Sequence, residues 1–455
     1  MKRISTTIAI LAIAAFGLQA QDKTYFVSPE GNDNADGLSV TNAWKSIDKV
    51  NASVFQAGDR VLFEGGATFY GNLVIKSSGS PEKPIVFSGY GQGRPVINMG
   101  KEEGTAITIL NSDGLAIVGF EITSGFPPEV GVGRNGILID EREPGRAFSH
   151  IVIKDNYIHD IWGQMGGTRL RCAAISGGVM RPWRGFTVSQ NASTLEDVLI
   201  EGNRIERVDK VGITTTGIDK LRVRRNYMDN LGGDGIIVSS SFRAVVEFNE
   251  IHRSCMRSGL LDLPGDNGWA EKGEGWWPHT AACWIIGCEE TIMQFNEVYD
   301  TGRQIRNGDG FAYDFDFYCK RCIAQYNYSK ENHGFLLMMY DIFENVARYN
   351  ISENDKTHLV QMQGSLKSDN NVLYNNVFYV DHGVSEVEYF RGDHPEKAKD
   401  INDLGAHFYN NIFYATGQGQ FHTAWSVGYA WDRSFDDTPK PNRPAGSLFL
   451  NNCYF

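Results

Sequence analysis

Residues 203–216 read NRIERVDKVGITTT, and residues 226–239 follow the same plan as NYMDNLGGDGIIVS. Each segment opens on Asn, passes through a polar turn, and closes on Gly followed by β-branched residues. The Asn returns in steps of 23, 23, 47, 31, 23 and 25 residues, at Asn203, Asn226, Asn249, Asn296, Asn327, Asn350 and Asn375. A basic period of about 23 residues indicates a stacked repeat, in which each unit covers the apolar face of its neighbour.

The residues inside one period indicate which repeat this is. A Gly precedes a run of strand-forming residues in segments 212–216 (GITTT), 235–239 (GIIVS), 310–314 (GFAYD) and 334–338 (GFLLM). Such runs, bounded by Gly and Asn, favour short strands, and the period leaves no room for a helix. The sequence therefore predicts an all-β fold, a right-handed parallel β-helix with one turn of chain per coil. The Asn side chains are expected to stack at one corner and to pass amide hydrogen bonds between coils.

The composition agrees with a turn-rich β protein that has ample core. The chain holds 50 Gly and 14 Pro, with 42% hydrophobic and 12% aromatic residues. Because a solenoid grows by adding coils, one elongated domain over residues 21–455 is predicted, with 21–100 as the N-terminal cap and first coils. The net charge of −12 argues against a nucleic-acid partner and disfavours a polyanionic substrate. The oligomeric state stays open.

The first twenty residues predict a cleaved secretory signal peptide. A basic start (MKR) precedes an apolar stretch over residues 4–18, and Ala20 stands before Gln21. No other segment is apolar enough to span a bilayer, so no membrane association is expected. We therefore expect a periplasmic or secreted protein.

The seven Cys are expected to be mostly buried thiols. The odd count leaves at least one unpaired, and coils can stack Cys in the core as small hydrophobes. Cys255 and Cys283 are the candidate pair for a disulfide. Cys319 and Cys322 lack the second pair of ligands that a zinc site needs.

The N-terminal region resembles a known family. Residues 25–33 (YFVSPEGND), 36–38 (DGL), 43–44 (AW), 58–59 (GD) and 65–66 (GG) are similar to the opening module of exported bacterial right-handed β-helix proteins, the pectate-lyase-like and polygalacturonase-like superfamily. The resemblance implies a polysaccharide-active enzyme. Within this module, Trp44, Ile47, Val50 and Val54 fall on one face of a predicted helix that would cap the open end of the first coil.

The candidate catalytic groups lie on the strand that follows Gly310. If alternate residues after each aligned Gly point inward, the inward set is Ile213, Thr215, Ile236, Val238, Phe311, Tyr313, Phe335 and Leu337. The set pointing to solvent then includes Thr214, Thr216, Ile237, Ser239, Ser241, Ala312, Asp314, Asp316, Leu336, Met338 and Tyr340. Asp314 and Asp316 would share one face with α-carbons roughly 7 Å apart, a spacing that suits the two carboxyl groups of an inverting glycoside hydrolase.

Two further candidate catalytic residues precede the aligned Gly. Asp234, Asp309 and His333 are predicted to share one position, so that Asp309 and His333 would meet on neighbouring coils. The alternatives are structural: an Asp before Gly is a frequent turn residue, and Asp314 with Asp316 could be a solvated face or could bind Ca²⁺. No cofactor is predicted to be required.

Two departures from the period carry candidate substrate-binding residues. Residues 256–282 hold several aromatic and polar side chains, and 163–187 hold a cluster of Arg. The predicted substrate-binding residues are Trp276, Trp277, His279, Arg303, Arg306 and Tyr340. Trp269, Arg169, Arg171, Arg181, Trp183 and Arg184 are further candidates for contacts with sugar rings or acidic groups.

Three functions remain open. A glycoside hydrolase with paired carboxylates is favoured, acting on a polysaccharide or oligosaccharide. The second is a polysaccharide lyase, for which Arg303, Arg306 or Lys320 would supply the base. The third is a glycan-binding β-helix without catalysis, which predicts outward Asp at irregular places such as Asp140.

Overall fold

The computed structural model describes the chain in eleven segments, which are residues 22–100, 104–124, 133–162, 172–179, 193–256, 281–302, 310–339, 341–364, 370–392, 406–422 and 448–455. The predicted signal peptide at residues 1–20 lies outside them. Among the described residues, no helix is long and apolar enough to cross a membrane.

The described chain forms three parallel sheets with almost no helix. Sheet 1 contains the strands Thr24–Val27, Arg60–Glu64, Ile85–Tyr90, Leu115–Val118, Ala147–Lys154, Thr194–Glu201, Ile218–Asp219, Arg222–Arg224, Val245–Glu247, Ile292–Gln294, Ile323–Gln325, Val346–Arg348, Asn371–Tyr374, Ala406–Tyr409 and Leu448–Leu450. Sheet 2 contains Thr68–Tyr70, Val96–Asn98, Glu121–Thr123, Tyr157–Ile161, Arg204–Val208, Tyr227–Leu231, Glu250–His252, Glu297–Tyr299, Tyr328–Lys330, Ile351–Glu353, Val377–Val380, Ile412–Ala415 and Cys453–Tyr454. Sheet 3 contains Leu73–Ile75, Gly104–Leu110, Arg134–Asp140, Cys172–Gly178, Val211–Thr216, Ile236–Ser239, Ala281–Ile286, Phe311–Phe315, Gly334–Met338, Thr357–Gly364, Val384–Gly392 and Gln420–His422.

The chain visits sheet 1, sheet 2 and sheet 3 in turn, and each strand pairs in parallel with the strand one coil away. This is the architecture of a parallel β-helix, as predicted. The inward side chains form one apolar core cluster that extends from Val27 to Phe413. Each coil therefore buries its apolar surface mainly against its two neighbours.

The Asn repeat forms a buried hydrogen-bonded ladder at the corner between sheet 1 and sheet 2. Asn249 Oδ1 accepts from the backbone N–H of Asn226 at 3.1 Å and from its side-chain amide at 2.9 Å. Asn249 Nδ2 donates to Val223 O and to Asn296 Oδ1, both at 2.9 Å. The ladder runs through Asn156, Asn203, Asn226, Asn249, Asn296, Asn327, Asn350, Asn376, Asn411 and Asn452.

One predicted ladder member is wrong. Asn376, not Asn375, receives the bonds of Asn350, at 3.0 Å from its N–H and 2.9 Å from its side-chain amide. Asn375 occupies the turn just before, where its φ of 56° lies in the left-handed region that Asn tolerates. Two adjacent Asn residues satisfy the same sequence pattern, and only the backbone turn decides which one points inward.

The predicted N-terminal helix is much shorter than the pattern suggests. It spans Ile47–Asn51, with Ser46 as its N-cap, and buries Ile47 and Val50 against the first coils. Trp44 is buried but pairs with Val27 as a β-bridge, and Val54 is exposed. The helical interpretation of Trp44 and Val54 is therefore wrong, because the chain turns back into sheet 1 after one helical turn.

All seven Cys are free thiols, six of them buried and Cys453 exposed. The prediction of buried thiols is confirmed, and the candidate disulfide between Cys255 and Cys283 is wrong. Cys283 instead packs in the core against Met293, and its pKa is raised to about 12 by burial.

Candidate functional site

The candidate site lies on the outer face of sheet 3, around the strand Phe311–Phe315. In sheet 3, one row of paired positions points into the core, namely Ile213, Ile236, Cys283, Tyr313, Leu336 and Val360. The next row points outward and consists of Thr214, Ile237, Trp284, Asp314, Leu337 and Gln361. We call this second set the Asp314 row.

The prediction that Asp314 and Asp316 lie on the outer side of the sheet agrees with this register. Tyr313 and Phe315 belong to the core cluster, so the alternating residues face away from it. The prediction that these carboxyl groups are open to solvent is wrong, however, since Asp314 and Asp316 are each only 5% exposed. Both residues are thus held in a sheltered part of the outer face.

The inward and outward assignment fails at other positions. Ala312, Leu336 and Met338 lie in the core, whereas Phe311 and Leu337 belong to a second, smaller hydrophobic cluster on the outer face of the sheet. The reason is that two successive residues, Ala312 and Tyr313, both point inward. The pairing with the next strand skips Ala312, so the regular alternation of side chains breaks there.

The aligned Gly residues do not share one register. Phe311 pairs with Gly334 on one side and with Ala281 on the other. Ala281 in turn stands opposite Asp234, so Asp234 is in register with Phe311 and Gly334 and not with Asp309 and His333. The predicted common position of Asp234, Asp309 and His333 is therefore wrong. Asp309 itself lies outside the described residues.

The two carboxylates stand in apolar surroundings. The outer cluster is a second, smaller hydrophobic cluster formed by Ala173, Val211, Ile237, Ala281, Trp284, Ile286, Phe311, Leu337 and Met339. Trp284 and Leu337 flank Asp314 on the two neighbouring coils. Asp316 Oδ1 accepts the backbone N–H of Phe317 at 2.7 Å, a bond that stabilises the ionised carboxylate.

A third carboxyl supports Trp284 from the preceding coil. Asp234 Oδ1 accepts from Trp284 Nε1 at 2.9 Å and from the N–H of Ala281 at 3.1 Å. Asp234 is 4% exposed, and this burial raises its pKa to about 6. The structure therefore does not make Asp234 a simple turn residue; it orients the indole that lies beside Asp314.

His333 belongs to a polar group on the far side of Phe311. His333 Nδ1 lies 3.2 Å from Thr357 Oγ1, and its ring meets the rings of Phe311 and His358 edge to face at 6.0 and 6.2 Å. His358 Nδ1 in turn lies 2.7 Å from Glu386 Oε2. The imidazoles thus form part of the same outer face as Asp314, one and two coils further along the helix.

Several predicted residues cannot be placed. Trp269, Trp276, Trp277, His279, Arg303, Arg306, Asp309 and Tyr340 lie outside the described residues, as do Arg169, Arg171, Arg181, Trp183 and Arg184. Lys320 is described, and it is bridged to Glu289 and Phe343 in a line that continues from sheet 1. The backbone of Lys320 therefore lies in line with sheet 1, beyond the end of the strand that carries Asp314.

Sequence reasoning missed Trp284, His358, Gln361 and Glu386. Trp284 ends the pattern Ala-Ala-Cys-Trp, where three small residues hide the strand from a search for bulky β-formers. Its coil also lacks the Gly used for alignment.

Within the described residues, no three His, Cys, Asp or Glu side chains are grouped to hold a metal ion.

Comparisons with known proteins agree with this architecture. Residues 96–268 match the model of the right-handed β-helix region, and the predicted resemblance to that group is confirmed. The chain is 27% identical to a lacto-N-biosidase of Bifidobacterium longum subsp. longum over 519 aligned residues, covering 95% of this chain but 30% of that protein. The chain thus spans about a third of the length of that relative.

Solved structures show the same fold. A GH136 lacto-N-biosidase from Eubacterium ramulus superposes with a TM-score of 0.66 at 22% identity, covering 88% of this chain and 68% of that one. The catalytic domain of a GH87 alpha-1,3-glucanase in complex with nigerose gives a TM-score of 0.50 at 11% identity, covering 87% and 64%. At these identities the likeness concerns the β-helix itself.

Proposed function

We propose that this chain is an exported glycoside hydrolase and that Asp314 and Asp316 are its catalytic carboxylates. The observation that carries the proposal is the placement of two nearly buried carboxyl groups on the outer face of sheet 3, beside the outer hydrophobic cluster. Burying a carboxyl group beside apolar side chains is costly, so buried carboxyl groups with shifted acidity are frequent at functional sites. The similarity to the Bifidobacterium lacto-N-biosidase supports the reaction class.

The two environments suit two roles. Asp316, whose carboxylate is stabilised by the Phe317 N–H, acts as the anionic partner that attacks the anomeric carbon or activates water. Asp314, flanked by Trp284 and Leu337, is the partner that protonates the leaving oxygen, because an apolar environment favours the neutral acid. Asp316 directly follows the strand Phe311–Phe315, and its N–H still donates to Ile285 O on the neighbouring coil at 2.9 Å. The α-carbons of Asp314 and Asp316 are therefore roughly 7 Å apart, as for alternate residues of extended chain. A sugar can therefore span both groups.

The substrate in this proposal is an oligosaccharide or polysaccharide, with the lacto-N-biosyl linkage as the first to test because of the named relative. The enzyme is proposed to need no cofactor, and calcium chelation should leave turnover unchanged. We also propose that residues 1–20 direct export and that the Ile47–Asn51 helix closes the N-terminal end of the solenoid.

The deciding experiment measures release of p-nitrophenol from p-nitrophenyl lacto-N-bioside, with a panel of other aryl glycosides and glycans. Asp314→Asn and Asp316→Asn should each lower kcat by about 10²–10⁴-fold while the melting temperature stays unchanged. Asp140→Asn is the matched control. Asp140 lies on the outer face of the same sheet, several coils away from Asp314, and it is paired with Arg142. Its turnover should equal wild type.

Full activity in both variants would remove Asp314 and Asp316 from the mechanism. Products that absorb in the ultraviolet as unsaturated sugars would instead identify a lyase. Binding of a glycan with no cleavage of any substrate would favour the non-catalytic alternative.

A further inference from the structure

We propose that Gln361 is a sugar-binding residue, and that with His358 and Glu386 it forms a subsite for a neutral sugar unit next to the cleaved bond. The inference rests on the proposed function, since it extends the same outer face of sheet 3. It adds a substrate contact two coils beyond Asp314.

Register fixes where Gln361 stands. Gln361 pairs with Leu337, and Leu337 pairs with Asp314, so the three residues follow one another along the Asp314 row. Their neighbours Val360 and Met362 are both core residues, which directs Gln361 outward. With coils about 4.8 Å apart, the α-carbons of Asp314 and Gln361 are roughly 10 Å apart. A glycan running along the helix axis from Asp314 would therefore pass over Leu337 and reach Gln361.

The amide of Gln361 lacks a hydrogen-bond partner. The side chain is only 3% exposed, and Nε2 meets neither an acceptor nor solvent within the described structure. Burying an unpaired amide donor destabilises a fold, so a buried Gln at a position where Ile237 and Leu337 occur in other coils is costly unless a ligand completes it. The missing partner is an oxygen acceptor, which a sugar hydroxyl or acetamido carbonyl supplies.

The floor beside Gln361 suits a pyranose ring. Leu337 lies between Asp314 and Gln361 in the outer hydrophobic cluster, so the part of the face that separates the carboxyl from the amide is apolar, as the C–H face of a sugar requires. Gly334 lets the ring of Phe311 pack closely against this strand, because a Cβ there would lie 2.2 Å from that ring. The row thus alternates acid, apolar floor and amide donor.

The charges nearby select a neutral unit. His358 lies on the same strand as Gln361 with its Nδ1 2.7 Å from Glu386 Oε2, so the imidazole that would pair with a uronate already faces a carboxyl group. Asp316, the anionic partner in the proposed function, adds further negative charge to this face. A sugar carboxylate would be repelled there, whereas neutral hydroxyl and acetamido groups would not be.

The test compares Gln361→Met with wild type in kinetics, binding and melting. Met has a similar size and no donor, so KM for p-nitrophenyl lacto-N-bioside should rise by about tenfold, the factor that one neutral hydrogen bond supplies. Calorimetric affinity for the free disaccharide should fall by a similar factor. The melting temperature should stay equal or rise, because an unpaired buried amide is removed.

Gln325→Met is the matched control. Gln325 is also a buried Gln on a β-strand, but it lies in sheet 1 and its Nε2 donates to Gln294 Oε1 at 2.9 Å. This variant should lose stability and keep the wild-type KM. The pair therefore separates a structural Gln from a ligand-binding one.

If the wild type is active, two results would overturn this inference while leaving the proposed function intact. One is an unchanged KM and affinity in Gln361→Met, and the other is a lowered melting temperature with unchanged KM. A higher affinity of the wild type for uronate-containing glycans than for neutral glycans would overturn the assignment of a neutral sugar. A wild-type chain that neither binds nor cleaves any sugar would overturn the proposed function and this inference together.

Discussion

At the scale of single residues, Asp234 shows how one buried carboxyl can fix a side chain of the candidate site from the neighbouring coil. Its Oδ1 alone accepts both the Trp284 indole and the Ala281 N–H, so the indole beside Asp314 is fixed from the preceding coil. Burial outweighs these two bonds and raises the pKa of Asp234 to about 6 from 3.8. The folded protein therefore holds this group in its acid form at higher pH than the unfolded chain does.

This shift predicts a pH-dependent stability difference for Asp234→Asn. With the folded pKa raised, the stability linked to Asp234 is complete below pH about 4 and is lost as pH rises through 6. Asn keeps the Oδ1 acceptor and cannot ionise. Relative to wild type, the variant should therefore gain about 3 kcal/mol in free energy of unfolding between pH 4 and 7, measured by urea titration.

The control for this prediction has the opposite sign. Asp229 is hydrogen-bonded to Arg253, which holds its pKa below the usual value. Asp229→Asn should therefore lose stability relative to wild type above pH 4 and lose less as the pH falls. A constant difference between Asp234→Asn and wild type across the range would show that Asp234 is ionised in the folded state.

At the scale of elements, the Asn ladder explains why the fold could be predicted from the sequence and why some ladder members were not predicted. Steps of 23 residues made the middle of the ladder visible, but Asn156, Asn411 and Asn452 are separated by 47, 35 and 41 residues from their neighbours and broke the period. The hydrogen bonds are the same at every step. Excursions between coils change the spacing in sequence without changing the stacking in space.

The ladder predicts a position-dependent cost for removing one amide. Asn249→Ala would leave donors and acceptors of Asn226, Asn296 and Val223 unpaired in a region where Asn249 is 1% exposed. We expect a loss of about 3 kcal/mol or more in free energy of unfolding, from urea denaturation. Asn452→Ala, at the partly exposed end of the described ladder, should cost distinctly less. Equal losses would mean that water or neighbouring coils can replace the amide anywhere.

The candidate site was less predictable than the fold because side-chain alternation is not uniform within a strand. The alignment on Gly310 was displaced by two residues, an even number, so it still placed Asp314 and Asp316 on the outer side. The same alignment failed at Phe311 and Ala312, where the alternation breaks. The alignment on Gly334 was displaced by one and reversed the assignment of Leu336 and Leu337. A Gly marks a turn, but the number of residues between that Gly and the paired positions of the next strand varies from coil to coil. The pairing across coils therefore cannot be predicted from the Gly residues alone.

At the scale of the whole molecule, the continuous core decides the chemistry of the cysteines. Cys288, Cys319 and Cys322 come together where sheet 3 turns toward sheet 1, and their sulfurs donate to backbone carbonyl oxygens of neighbouring coils. Burial raises the pKa of the Cys319 thiol well above its usual value. Low thiolate content and lack of access together make such thiols unreactive. Reactivity therefore reports whether the coils stay stacked.

Thiol labelling is predicted to separate the native from the unfolded chain by count. Native protein treated with a disulfide reagent should react at one site, the exposed Cys453, and denatured protein should react at all seven. Cys453→Ser should abolish the fast reaction and leave six thiols after denaturation. Fast labelling at further sites would mean that coils open readily under native conditions. Fewer than seven thiols in the unfolded wild type would mean that a disulfide forms during export, contrary to the buried free thiols seen here.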